Sequence, residues 1–91
     1  MFKSIQEVKD AVRSGKTVYR NTEAYQVVFD GRKFQIYCLF NGYTIGLTWA
    51  INANDYEKTY NKKIDRKIYH IDPDGTVLNG RLEGFFIKET K

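Results

Sequence analysis

Apolar positions along this chain recur with two different periods, and the change from one to the other marks out its elements. Ile5, Val8, Ala11 and Val12 fall at i, i+3, i+6 and i+7, a single helical stripe. Ser4 and Glu7 stand in the S-x-x-E arrangement, in which each side chain satisfies an orphan backbone N–H at a helix start. Gly15 supplies a left-handed stop. The spacing predicts a helix over residues 4–15, and at about three turns it needs a sheet to pack against.

From residue 17 the period becomes two. Residues 17–20 read as a short strand and Asn21-Thr22-Glu23 as a turn. Asp30-Gly31 and Asn41-Gly42 are strong two-residue hairpin signals, because type I′ turns need positive φ at both central positions. They divide residues 25–49 into three antiparallel strands. Pairing about those centres sets Phe40 against Tyr43, Cys38 against Ile45, Ile36 against Leu47 and Phe34 against Trp49. It also sets Val27 against Phe34 and Tyr25 against Ile36. One face thus collects all of these residues as a predicted core, and a one-residue slip would scatter them. On the other face Tyr37 falls opposite Gly46, and Val28, Tyr37 and Leu39 form a modest apolar patch.

Residues 51–67 read less clearly. Ile51 to Asn54 is loop-like, Asn54 with Glu57 suits a helix cap, and Tyr56, Tyr60 and Ile64 recur every four residues. The same stretch also alternates like a strand; a short helix or ordered loop is preferred. Residues 67–71 are expected as a strand, Asp72-Pro73-Asp74-Gly75 as a type I turn ending in a left-handed glycine, and residues 76–78 as the returning strand. Asn79-Gly80 turns again and Phe85 to Ile87 closes the sheet. The expected fold is α+β: one N-terminal helix packed on a five- to six-stranded antiparallel meander sheet, in a single domain over residues 1–91.

Composition sharpens this. Aromatic residues make up 15% of the chain, seven of them Tyr and six Phe, which favours sheet. A net charge of +4 permits contact with nucleic acid or an acidic protein and requires neither. The single cysteine, Cys38, cannot pair within the chain, which suits a reducing cytoplasm. Met1-Phe2 gives way at once to Lys3, unlike a signal peptide, and no apolar run has the length of a membrane helix, so no membrane association is expected.

Candidate chemistry is sparse. His70 is the only histidine, set between Tyr69 and Ile71, and a general base needs a positioned partner. Cys38 lies on the predicted core face, where free cysteine acts as a small hydrophobe. Asp72 and Asp74 precede Gly75 but lack the further ligands of a calcium loop. Zinc spacings, P-loops and G-x-G-x-x-G are absent. The expectation is a non-enzymatic binding protein with no catalytic residue, metal or cofactor. Two surfaces are candidates. In the first, Tyr56, Tyr60 and Tyr69 interleave with Lys58, Lys62, Lys63, Arg66 and Lys67. Cations beside aromatics suit a nucleic-acid backbone with stacked bases, acidic groups on a protein, or a small anionic nucleotide. The second is the patch around Tyr37. Against them stand a solvated charged flap and a covered sheet face. A free sheet edge would favour a homodimer over a monomer.

Glu7-Val8-Lys9-Asp10-Ala11-Val12, followed by Gly15-Lys16-Thr17-Val18-Tyr19, Tyr25-Gln26-Val27-Val28 and Asn41-Gly42-Tyr43-Thr44-Ile45-Gly46-Leu47-Thr48, resembles small uncharacterised accessory proteins of tailed bacteriophages. The likeness covers residues 7–49, with Leu78 to Glu89 added, and residues 53–70 look like an insertion. The resemblance implies a phage accessory protein, a class rich in inhibitors of host enzymes and defence systems. It therefore implies a host protein as partner and the host cytoplasm as location. It carries no catalytic residue.

Overall fold

In the computed structural model, which describes residues 1–88, Ser4 caps the first helix, α1 (Ile5–Arg13). Its hydroxyl accepts the Glu7 N–H at 3.1 Å. The reciprocal bond is displaced by one residue, since Glu7 Oε1 accepts from the N–H of Lys3 rather than Ser4. The sheet has five antiparallel strands: β1 (Val18–Arg20), β2 (Thr22–Phe29), β3 (Phe34–Cys38), β4 (Thr44–Gly46) and β5 (Phe85–Ile87). Their order is β4-β3-β2-β1-β5. The α+β architecture with an N-terminal helix on an antiparallel sheet is as expected.

Both predicted hairpins form, yet each is re-centred by one residue. β2 and β3 pair Val27 with Ile36 and Phe29 with Phe34, so the turn centres on Gly31-Arg32. The Asp30 carboxylate explains this: it accepts the backbone N–H groups of both Arg32 and Lys33 at 2.9 Å and replaces the backbone carbonyl a type I′ turn would use. β3 and β4 pair Ile36 with Ile45 and Tyr37 with Thr44. Residues 39–42 form the loop, with the Asn41 side chain accepting the Tyr43 N–H. Tyr37 thus faces Thr44, not Gly46. Moving a turn centre by one residue moves the pairing by two, so every side chain keeps its predicted face.

The expected turn at 21–23 contracts to Asn21 alone, at φ 62. The expected strands at 67–71 and 76–78 do not form; isolated bridges Ile71–Val77 and Thr48–Leu78 take their place. Asp65 prevents the first. Its carbonyl accepts the N–H groups of Ile68 and Tyr69 and its carboxylate that of Lys67, which curls the chain before it can extend. The uncertain segment does form a helix, α2 (Ala53–Tyr60), capped by Asn52 rather than Asn54. Asn52 Oδ1 accepts the Asn54 N–H at 2.9 Å, while its Nδ2 donates to the carbonyl of Asp74. Asn61, at φ 54, ends the helix, so Ile64 enters the interior from a loop.

Two apolar clusters result. The larger joins Ile5 and Val8 of α1 to Val18, Val27 and Ile36 of the sheet and to Leu47, Leu78, Leu82 and Phe85. The smaller gathers Ala53, Ile64 and Val77 beneath Trp49, Tyr56, Tyr69 and Ile71. A carboxylate ties the second half of the chain to the first. Asp72, the one buried charged side chain among the described residues, accepts the Ile5 N–H with Oδ1 at 3.0 Å and Oδ2 at 3.1 Å. The same Oδ1 accepts from His70 Nε2 at 2.8 Å. The carboxylate therefore stands at the positive end of α1 and satisfies an N–H that the helix itself cannot.

Candidate functional site

The face that α1 covers is not covered to its end. A helix with its side chains is about 10 Å across, the width of two strands, and α1 packs on β1 and β2. Coverage fades from there. In the row Val27–Ile36–Ile45 the first two residues are 2% exposed and Ile45 is 49% exposed. In the next row, Cys38 is buried while Tyr25 is 40% and Tyr43 75% exposed. The loop beyond adds Phe40 at 87%. Four large apolar or aromatic side chains therefore stand in solvent at one corner of this face. Sequence periodicity assigned all four, Tyr25, Phe40, Tyr43 and Ile45, to the core, and burial contradicts that. Their alternation was right; what lies over them could not be read from it. Large apolar side chains exposed together at one end of a sheet make a candidate interaction surface.

The opposite corner of α1's coverage is closed by aromatic packing. Phe29 and Phe34 stack with ring centroids 4.4 Å apart. Arg13 lies 5.5 Å from the Phe29 ring and Lys9 lies 5.6 Å from that of Phe34. On the second face Val28 and Tyr37 are half-buried, and of the expected patch only Leu39 is well exposed.

The basic, tyrosine-bearing segment divides into three parts. Tyr56 and Tyr69 both pack edge-on against Trp49, at 5.2 and 5.0 Å. They are half-buried against the second cluster, which occupies one side of each ring. Tyr60 is exposed and leans on Tyr56 at 4.9 Å. Lys58, Lys62 and Lys63 are exposed on and just after α2. Arg66 folds back onto Glu57, Nη1 to Oε2 at 2.9 Å, while Glu57 also accepts the Ile64 N–H. Arg66 and Lys67 then meet His70, Arg81, Leu82 and Glu83 around a cleft of about 380 Å³. Sequence reasoning did not bring Arg81 or Glu83 into this group, because they arrive from a distant turn through the His70 N–H to Gly80 carbonyl bond.

The hydrogen bond from Arg66, followed by that from the Ile64 N–H, holds the Glu57 carboxyl below its ordinary range. A depressed carboxyl contributes stability that is complete above its unfolded value and is lost as pH falls through the folded one. Thermal melting of the wild type should therefore drop as pH falls below about 4.5, and Glu57→Gln should flatten part of that decline. Asp30 and Asp74, lowered chiefly by the backbone N–H groups of Lys33 and Thr76, act in the same direction. A Glu57→Gln profile superimposable on the wild type would contradict this.

Among the described residues, no group of three or more His, Cys, Asp or Glu is placed to hold a metal ion, and no helix is long and apolar enough to cross a membrane. No protein-family model, curated protein or solved structure matches the chain.

Proposed function

We propose that this protein is a binding module whose working surface is the uncovered corner formed by Tyr25, Phe40, Tyr43 and Ile45, and that its partner is another protein with an apolar docking surface. The observation that carries the proposal is the exposure of Phe40 and Tyr43 together with the half-exposed Tyr25 and Ile45. Burying large aromatics is what gives protein interfaces their strongest anchors, and leaving this many in water has no folding benefit. The resemblance to phage accessory proteins, carried by residues 7–49, would make the partner a host protein and the outcome modulation or inhibition.

Affinity capture from a bacterial lysate with Phe40→Ser/Tyr43→Ser tests it. Both side chains are mostly in solvent, so the variant should melt within about 0.5 kcal/mol of wild type. It should lose a partner that wild type and Lys62→Ala/Lys63→Ala both retain, with affinity falling about 30-fold or more. Capture unchanged by the serine pair, or abolished by the lysine pair, would refute the assignment. A wild-type dimer that the serine pair converts to monomer would replace the foreign partner by a second copy of this chain.

A further inference from the structure

A second site lies apart from that corner and does not depend on it. The cleft between residues 66–70 and the 3-10 turn Leu82–Gly84 is walled by Arg66, Lys67, His70, Arg81, Leu82 and Glu83. Its walls are mostly polar, with Leu82 the one aliphatic contributor. Three of its nitrogen-bearing side chains are each braced by a carboxylate. Glu57 holds Arg66, Asp72 holds His70, and Glu83 holds Arg81, Nε to Oε1 at 2.7 Å. Bracing of this kind fixes a guanidinium or imidazole before a ligand arrives and reduces the ordering cost of binding. It does not exhaust the donors. Arg81 binds Glu83 through Nε alone, leaving both Nη groups with no hydrogen bond among the described residues, and Lys67 Nζ makes none either.

We propose that this cleft binds a small phosphate ester through its phosphate group. Arg81 presents two parallel N–H donors, the geometry that matches phosphate oxygens in pairs. Lys67 adds a mobile point charge, while His70, whose Nε2 is taken by Asp72, only lines the wall. The cleft's volume suits a phosphate with little attached to it. The shortage of apolar wall leaves a nucleobase or other organic part outside, in solvent. Glu83 and Glu57 offset part of the positive charge, so selection for phosphate rests on the paired N–H geometry of Arg81 rather than on net charge.

Inorganic pyrophosphate is the probe, titrated into the full chain at low ionic strength and followed by backbone amide NMR shifts. Saturable shifts should concentrate at Lys67, His70, Arg81 and Leu82. Arg81→Gln should weaken binding about tenfold or more, since it removes charge-assisted hydrogen bonds. Lys67→Gln, whose Nζ makes no hydrogen bond or ion pair among the described residues, should weaken it several-fold, and Lys62→Gln should leave it unchanged. Shifts that never saturate, or an equal loss with Lys62→Gln, would reduce the site to diffuse charge and overturn the proposal. A single-stranded oligonucleotide serves as the second arm. If it displaces pyrophosphate at a lower phosphate concentration than pyrophosphate itself requires, the ligand is a nucleic-acid backbone and the small-ester assignment fails.

Discussion

Asp72→Ala is expected to lower the unfolding free energy by about 3 kcal/mol, the largest effect of any polar substitution in this chain. The carboxylate performs three tasks at one point. It accepts the Ile5 N–H with both oxygens, orients His70, and places negative charge at the amino end of α1. Alanine would leave a buried N–H without a partner and remove a favourable helix-dipole contact worth up to about 1 kcal/mol. Domains of this size hold only about 5–15 kcal/mol in total, so the variant should melt well over 10 °C lower. Asp72→Asn keeps the shape but turns one acceptor into a donor, and should fall between the two. Denaturant unfolding of the three proteins measures this. A loss under about 1 kcal/mol for Asp72→Ala would mean that water replaces the carboxylate at Ile5 without cost.

Gly75→Ala should cost a comparable amount, again about 3 kcal/mol, for a different reason. Gly75 has φ +91, a conformation that alanine adopts only with strain. A Cβ at this position would also collide with the amide of Asn52. That amide cannot simply swing aside. Its oxygen caps α2 and its nitrogen donates to Asp74, while the Gly75 carbonyl accepts the Ala53 N–H at 2.7 Å. Strain and overpacking, each about 1–3 kcal/mol, therefore fall on one junction, and α2 should loosen with it. Gly31→Ala is the control. Gly31 has a similar φ of +95 but nothing near its missing Cβ, so it should show the strain alone. Equal losses at the two positions would contradict the packing argument.

The turn that holds Asp72 and Gly75 was legible, the left-handed Gly75 included; their distant partners were not. Helix α1, the hairpin strands between residues 25 and 46 and the faces of their residues were legible, because they rest on local periodicity and on parity, which survives a shifted turn. The strands expected at 67–71 and 76–78 were not, and only isolated bridges form there. The turn centres were not, because Asp30 and Asn41 act through side-chain acceptors that compete with the backbone pattern of a type I′ turn. The cap of α2 was misplaced by two residues because Asn52 is selected by its contact with Asp74, far along the chain. Asp72 read as a turn residue, which it is; nothing local to it signals a bond to Ile5, 67 positions away.

The candidate site divides in the same way. Tyr56 and Tyr69 looked free for contact but are held by Trp49, a partner that only tertiary structure supplies. Tyr25, Phe40, Tyr43 and Ile45 looked buried but are not. The clue that sequence held was one of supply. One helix with the stripe Ile5, Val8, Ala11 and Val12 is too narrow to cover the predicted apolar face of three strands, so some of that face had to remain open. Which part remained open depends on where α1 sits, and that is fixed by Asp72 and by the cations over Phe29 and Phe34.

The most direct test of the binding corner is photocrosslinking in lysate from two positions, with p-benzoylphenylalanine replacing Phe40 in one protein and Lys62 in the other. Both side chains are exposed, so neither replacement should disturb the fold. A discrete protein adduct formed from position 40 and absent from position 62 is the predicted result. Adducts formed from position 62 alone would move the working surface to the basic segment and contradict the account.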